Sequence, residues 1–282
     1  MFTYLNPRIR KQLTEQGKLT CINRMGEPVT APQSSGEQSS SIQLLGPIPL
    51  PLKVKDHHYQ ATWYAAVRST EIGAVENLAA ELIENGGQNL FAMLANPMAV
   101  NSVLIFGDID QSKHPLVRVH SNCLTGDVFG SMRCECGPQL DLAIERIAND
   151  PSGGALVYMA GHEGRGIGLW AKAATYLLQD AGEDTYQANE SLGLPADSRD
   201  FSDAASLILR FIGNRKFRLL TNNPKKVNDL TKFGLNQITM EKHVTGISDS
   251  NRNYLHAKKM QGHQIPDTDL DIEAQSREEP AS

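Results

Sequence analysis

The chain has 282 residues, of which 40% are hydrophobic and 21% charged, and its formal net charge is -5. That length buries a core without disulfide staples or a structural metal, no apolar stretch reaches the roughly 18 residues of a membrane span, and the acidic balance excludes the basic footprint of extended nucleic-acid binding. The opening residues MFTYLNPRIRKQ lack the apolar run and small-residue cleavage site of a secretory signal, so the expectation is a cytoplasmic protein with no membrane and no nucleic-acid partner.

Residues 1-44 read as an irregular lead-in, because Thr30 to Ser41 has the Ser, Gly and Pro content of a flexible loop. Leu44 to Val54 and Thr62 to Val67 read as strands separated by the polar segment Lys55 to Gln60. His57 and His58 lie in that segment; as chain neighbours they would point to opposite faces of a strand, so they are read as solvated loop histidines and not as joint metal ligands. After Thr70, a candidate N-cap, Ile72, Val75, Leu78, Ala79, Leu82 and Ile83 recur at helical spacing, and Gly86-Gly87 ends the run.

Strands are expected at Val103 to Phe106 and Leu116 to Val119, then a helix carrying Leu140, Ala143, Ile144 and Ile147. A buried strand follows at Ala155 to Met159, a helix at Leu169 to Leu178, another at Ala204 to Ile212, a strand at Phe217 to Leu220 and a helix at Pro224 to Phe233. Pro224 sits in the first turn of that last helix and Gly234 just after its end. The alternation implies a layered α/β domain over residues 45-263. Residues 264-282 are acidic and poor in large apolar groups, the composition of a disordered tail.

Three of the four cysteines, Cys123, Cys134 and Cys136, cluster where the strand ending near Val119 runs out. Gly126, Gly130 and Gly137 allow the intervening loop to curl and bring the thiolates together. Clustered thiols in a chain of this class bind metal or do redox chemistry more often than they form structural disulfides. Zinc takes cysteine sulfur in tetrahedral geometry; three protein ligands leave a position for water, whose pKa falls to near 7. Spacing alone leaves two alternatives open, namely three buried cysteines, or a structural site completed by His120 or His162.

The whole segment RVHSNCLTGDVFGSMRCECGPQ (Arg118 to Gln139) resembles the zinc-site signature of the GTP cyclohydrolase II family. Three later stretches resemble that family in the same order: GHEGRGIGL (Gly161 to Leu169), LQDAGEDTYQANESLGLPADSRDF (Leu178 to Phe201) and RLLTNNPKKV (Arg218 to Val227). The resemblance is strong from Val117 to Gly234 and absent from the lead-in and the tail. It implies a three-layer α/β/α domain with a mixed sheet and a homodimer. The implied activity is hydrolysis of GTP to 2,5-diamino-6-(5-phosphoribosylamino)pyrimidin-4-one, formate and diphosphate, the first step of riboflavin biosynthesis.

On this resemblance Cys123, Cys134 and Cys136 hold one Zn2+ per subunit, which activates water for attack on the carbon between the imidazole nitrogens of guanine. Tyr176 matches an active-site residue able to donate a hydrogen bond or shuttle a proton during ring opening. Gln139 matches a base-contacting glutamine, whose amide offers both donor and acceptor to a purine edge. Arg118, Val119, His120, Ser121, Asn122, Glu163, Gly164, Arg165, Thr185, Thr221 and Lys226 match positions lining the nucleotide site, where Arg forks, Lys point charges and glycine-turn amides converge on phosphates. Asp197 and Arg199 match the pair assigned as proton acceptor and nucleophile toward the α-phosphorus. Guanidinium is effectively always protonated, so electrostatic stabilisation is the alternative role for Arg199. Mg2+ is implied with the nucleotide phosphates.

The sequence departs from the family pattern at Asn122, where Glu is usual, at Pro138, which replaces an aromatic residue, and at Ala171 and Ala174, which replace Asn and Arg. These departures support a second reading, a paralogue acting on another nucleotide, for example in uracil catabolism. A third, from a different class, is a non-catalytic nucleotide-binding regulator. The region before Val117 is longer than in a minimal family member yet too short for the fused dihydroxybutanone-phosphate synthase domain of some relatives, so no bifunctional enzyme is expected.

Overall fold

The computed structural model describes residues 5–30, 41–72 and 99–270. Its strands are β1 (Leu19–Ile22), β2 (Pro28–Val29), β3 (Ile42–Val54), β4 (His57–Arg68), β5 (Asn101–Phe106), β6 (Leu116–Ser121), β7 (Gly154–Met159), β8 (Phe217–Leu220) and β9 (Ile238–Glu241). Its α-helices are α1 (Pro7–Glu15), α2 (Leu124–Asp127), α3 (Cys136–Ala148), α4 (Leu169–Asp180), α5 (Gln187–Ser191), α6 (Ser202–Ile212), α7 (Pro224–Lys232) and α8 (Arg252–Met260).

The strands form one mixed sheet in the order β2-β1-β3-β4-β5-β7-β6-β8-β9. It is antiparallel from β2 as far as the β5–β7 pair, and parallel through β7, β6, β8 and β9. Side-chain alternation along β6 sorts the two faces. Val117 and Val119 join Leu207, Ile208 and Ile212 of α6 in one core, whereas Leu116 packs with Ala143, Ile144 and Ile147 of α3 in a second core on the opposite face. Helices therefore cover both faces, as expected of a three-layer α/β domain. Leu207, Ile208 and Ile212 are all but inaccessible to water, and burying each stabilises by about 1.5–3 kcal/mol.

Two segments differ from the sequence reading. The lead-in expected to be irregular contains α1, β1 and β2. Asn6 caps α1 through the Arg8 N–H, and β1 pairs with β3 from Leu19 opposite Leu45 to Ile22 opposite Ile42, which buries Ile22 in the main core. Loop-like composition around Thr30 to Ser41 obscured these short elements; residues 31–40 of it lie outside the described residues. In the tail expected to be disordered, Ile265 and Leu270 are buried against Leu255, so order extends past residue 263. Two well-spaced apolar side chains suffice there because Leu255 supplies a third.

The hairpin joining β3 and β4 is tighter than expected. His57 and His58 fall on β4, opposite Val54 and Lys53, and both are exposed. The helix expected after Thr70 begins, with residues 69–72 helical, and the rest of it lies outside the described residues. Among the described residues no helix is long and apolar enough to cross a membrane.

Candidate active site

The carboxyl ends of the parallel strands β6, β7 and β8 open on one cleft, the usual ligand position in α/β sheets. From β6 the chain runs into Asn122 and Cys123, from β7 into the turn Ala160–Gly166, and from β8 into Thr221, Asn222 and Asn223. Asn122, Cys123, Glu163, Gly164, Arg165 and Thr221 of the candidate site come from these three exits.

At one end, Cys123, Cys134 and Cys136 bring their sulfur atoms within 4.8 Å of one another. A side chain at Gly126 would stand 2.9 Å from Cys134 Sγ and 3.2 Å from Cys123 Sγ, so only glycine lets the loop wrap the cluster this closely. Among the described residues no His, Asp or Glu joins the three. His120 Nε2 is 3.1 Å from the Asp127 carboxylate, and His162 is engaged by Ser121 and by the Asp200 carbonyl. Neither histidine stands in the cluster, and three thiols are a donor set compatible with zinc.

The cluster sits in a polar cage. Lys172 Nζ donates to Cys123 Sγ over 3.1 Å and to Glu163 Oε1 over 2.6 Å, while Glu163 Oε2 accepts the Leu124 N–H at 2.7 Å. Thiol hydrogen bonds from Cys134 and Cys136, together with Lys172, hold Cys123 far below the ordinary thiol range; the bond to Cys123 pushes Cys134 up to about 11. Asp127 accepts the Cys123 N–H at 3.0 Å and so fixes the loop to His120. Tyr176 reaches in from α4, its hydroxyl 3.0 Å from Thr125 Oγ1, and burial raises its pKa so that it remains protonated.

In the centre, buried Arg118 donates to the Leu220 carbonyl and to Gln139 Oε1, both at 2.8 Å, which aims the glutamine amide into the cleft. Burial lowers Arg118 to about 10. Asn122 donates to the Ala160 carbonyl, and its Oδ1 lies 2.7 Å from the Tyr158 hydroxyl. Ser121 and His120 also line the cleft; Val119 does not, because its side chain faces the core, and only its carbonyl participates, accepting from Lys226 Nζ at 2.8 Å.

The far end is cationic. Arg165 has φ 61°, a left-handed conformation costing about 1–3 kcal/mol for a non-glycine residue. It is held there by the Ser198 N–H on its carbonyl, by donation to Thr185, and by stacking of its guanidinium 3.9 Å from the Tyr186 ring. Gly164 precedes it in the same turn. Arg199 and Asp197 form a paired fork at 2.9 and 2.8 Å, with Lys225 3.2 Å from Asp197. Burial alone would raise Asp197, but Arg199 outweighs it and holds the carboxyl far below its usual range; Arg199 is raised in return, against its own burial. Arg199 lines the cleft and Asp197 stands behind it. Thr221, Lys226 and the N-terminus of α7, where Asn223 caps the Lys225 N–H, complete a set of donors suited to phosphate.

Sequence reasoning missed Lys172, Glu135, Tyr254, Lys258 and His263, all of which line the same cleft. One signal was available: Lys172 and Tyr176 are spaced i,i+4 on α4, as are Tyr254 and Lys258 on α8, and such pairs share a helix face.

A family model described as GTP cyclohydrolase II matches residues 91–242. The chain is 42% identical over 193 residues to GTP cyclohydrolase-2 of Vibrio parahaemolyticus, covering 68% of this chain and 92% of that one. It is 51% identical over 164 residues to the monofunctional riboflavin biosynthesis protein RIBA 3, chloroplastic, of Arabidopsis thaliana, and 49% identical over 176 residues to the riboflavin biosynthesis protein RibBA of Mycobacteroides abscessus. Those matches cover 58% and 61% of this chain, but the chain spans only 32% and 42% of the length of these two relatives.

Proposed function

The chain belongs to the GTP cyclohydrolase II family, and we propose that it hydrolyses GTP to 2,5-diamino-6-(5-phosphoribosylamino)pyrimidin-4-one, formate and diphosphate, the first step of riboflavin biosynthesis. The observation that carries this reading is a three-thiol cluster at one end of a cleft whose other end holds Arg165, Arg199 and Lys226. A purine ring and a triphosphate need those two chemistries in one cleft.

Cys123, Cys134 and Cys136 would hold zinc, which when bound would supply Lewis-acid activation of water at neutral pH. The Tyr176 hydroxyl, protonated and anchored by Thr125, donates a proton to a ring nitrogen as the imidazole opens. Gln139, steered by Arg118, reads the base edge, and Ser121 and Asn122 border it. At the phosphate end Arg165, Thr185, Thr221 and Lys226 bind oxygens. Arg199 stabilises charge developing at the α-phosphate: its pairing with Asp197 favours the charged guanidinium, which supports the electrostatic role over a covalent nucleophile.

The reading also includes Mg2+ with the phosphates, one zinc per subunit, a homodimer and a cytoplasmic location, although plant relatives are named chloroplastic. The exposed apolar side chains Val128, Phe129, Met132, Trp170 and Leu177, beside the cluster and on α4, support self-association.

The test is to incubate zinc-loaded protein and magnesium with GTP and, separately, UTP, following formate, diphosphate and the pyrimidine product by mass spectrometry. Formate with the diaminopyrimidinone from GTP is expected. Turnover of UTP alone would replace the reading with the catabolic paralogue, and binding without turnover would replace it with a regulator.

A further inference from the structure

The family match ends at residue 242, but the chain continues along the cleft. The stretches that flank α8 are both tied to one residue, Asn222, in the turn after β8. The His243 N–H donates to Asn222 Oδ1 at 3.0 Å, Asn222 Nδ2 donates to the His243 carbonyl, and the Gln264 N–H donates to the Asn222 carbonyl at 2.7 Å. Between these anchors lies α8, fastened by Leu255 packing on Ile265 and Leu270.

Two side chains of α8, one turn apart, enter the cleft. Lys258 Nζ is 2.6 Å from Glu135, and both side chains are nearly buried, at 14% and 4% exposure. Glu135 stands between Cys134 and Cys136, so this pair clamps α8 to the cysteine loop. Tyr254 packs under the same ammonium, 4.6 Å from its ring centre, with the Arg165 guanidinium 5.7 Å from that ring. Among the described residues the Tyr254 hydroxyl makes no hydrogen bond, although it lines a cleft crowded with cations. A phenol that stays protonated is a donor to an anionic oxygen, and burial pushes Tyr254 up from its ordinary value.

We propose that Tyr254 is a substrate-contacting residue whose hydroxyl donates to a phosphate oxygen of the nucleotide, and that Lys258, through Glu135, is the positioning residue that holds α8 over the cleft. The proposal rests on the nucleotide reading above and adds to it a wall of the site from outside the matched region.

Calorimetric binding of GTP with magnesium, and of guanosine, to the full-length zinc-loaded protein tests it. Tyr254→Phe should weaken GTP binding by roughly tenfold or more, the usual effect of losing a hydrogen bond to a charged group, with guanosine binding, zinc content and melting temperature unchanged. Lys258→Met should weaken GTP binding and Lys258→Arg should recover most of it, while His256→Ala, on the exposed side of α8, leaves binding alone. Wild-type affinity for GTP in Tyr254→Phe would overturn the proposal and leave the nucleotide reading standing. Equal loss of GTP and guanosine would overturn the phosphate assignment, and a wild-type protein that binds no GTP would remove both.

Discussion

Lys172 Nζ stands 3.1 Å from Cys123 Sγ, a lysine on α4 reaching the first cysteine of the cluster. The same ammonium holds Glu163, and Glu163 holds the Leu124 N–H next to Cys123, so one buried cation closes a ring around a sulfur. Lys172→Met removes that cation and leaves Glu163 unpaired. The expected loss of stability is about 3–5 kcal/mol, measured by urea unfolding of the zinc-loaded protein. Lys172→Arg should lose less, because a cation remains in place.

Cys134→Ser is expected to abolish stoichiometric zinc, measured by elemental analysis, and formate release with it. The fold should persist, since α3 and its core do not depend on the thiolate. A zinc-free variant with full activity would refute the metal mechanism.

Tyr176→Phe removes the 3.0 Å contact with Thr125 and nothing else of note. Stability should change by only about 1 kcal/mol. GTP affinity should be spared while formate release at saturating GTP falls; a variant with full ring-opening activity would make the hydroxyl unnecessary.

Much of the architecture was legible in the sequence because its signals are local. Ala204 to Ile212 shows helical periodicity, Phe217 to Leu220 is a short apolar run, and Pro224 with Gly234 brackets α7; each element falls within two residues of its expected bounds. The cysteine loop was legible for a different reason, since ligand type and turn glycines lie together in the chain. Lys172 was not, because a lysine on a helix is ordinarily solvated and only its burial beside Cys123 gives it a role. Tyr254 and Lys258 were hidden similarly: their partners, Arg165 and Glu135, are distant in sequence, and no spacing rule connects them.

Arg199→Ala leaves the Asp197 carboxylate with Lys225 as its remaining cation, at 3.2 Å. Diphosphate release should fall more steeply than formate release, so the ratio of the two products is the informative measurement. Arg199→Lys retains the charge but not the fork, and should retain part of the diphosphate-releasing activity if the role is electrostatic. Complete loss in the lysine variant, with nucleotide binding intact, would favour the nucleophile instead.

Three histidines predict how stability responds to acid. Burial lowers His162 to about 4, and His243 and His263 to about 3, against an ordinary value of 6.5. All three are therefore neutral in the folded protein where the unfolded chain binds protons, and stability must fall as pH drops below 6.5. The slope continues until the folded values are reached. At pH 5 each histidine should have cost about 2 kcal/mol relative to pH 7. Asp197 adds nothing in this interval, since its contribution is lost only below the ordinary carboxyl value of 3.8. Urea unfolding of wild type and of His162→Asn at pH 7 and pH 5 checks this: the variant should lose less stability than wild type between the two pH values, by about 2 kcal/mol. Identical losses would mean that His162 is protonated in the fold, and that the neutral Ser121–His162–Asp200 hydrogen-bond chain is drawn incorrectly.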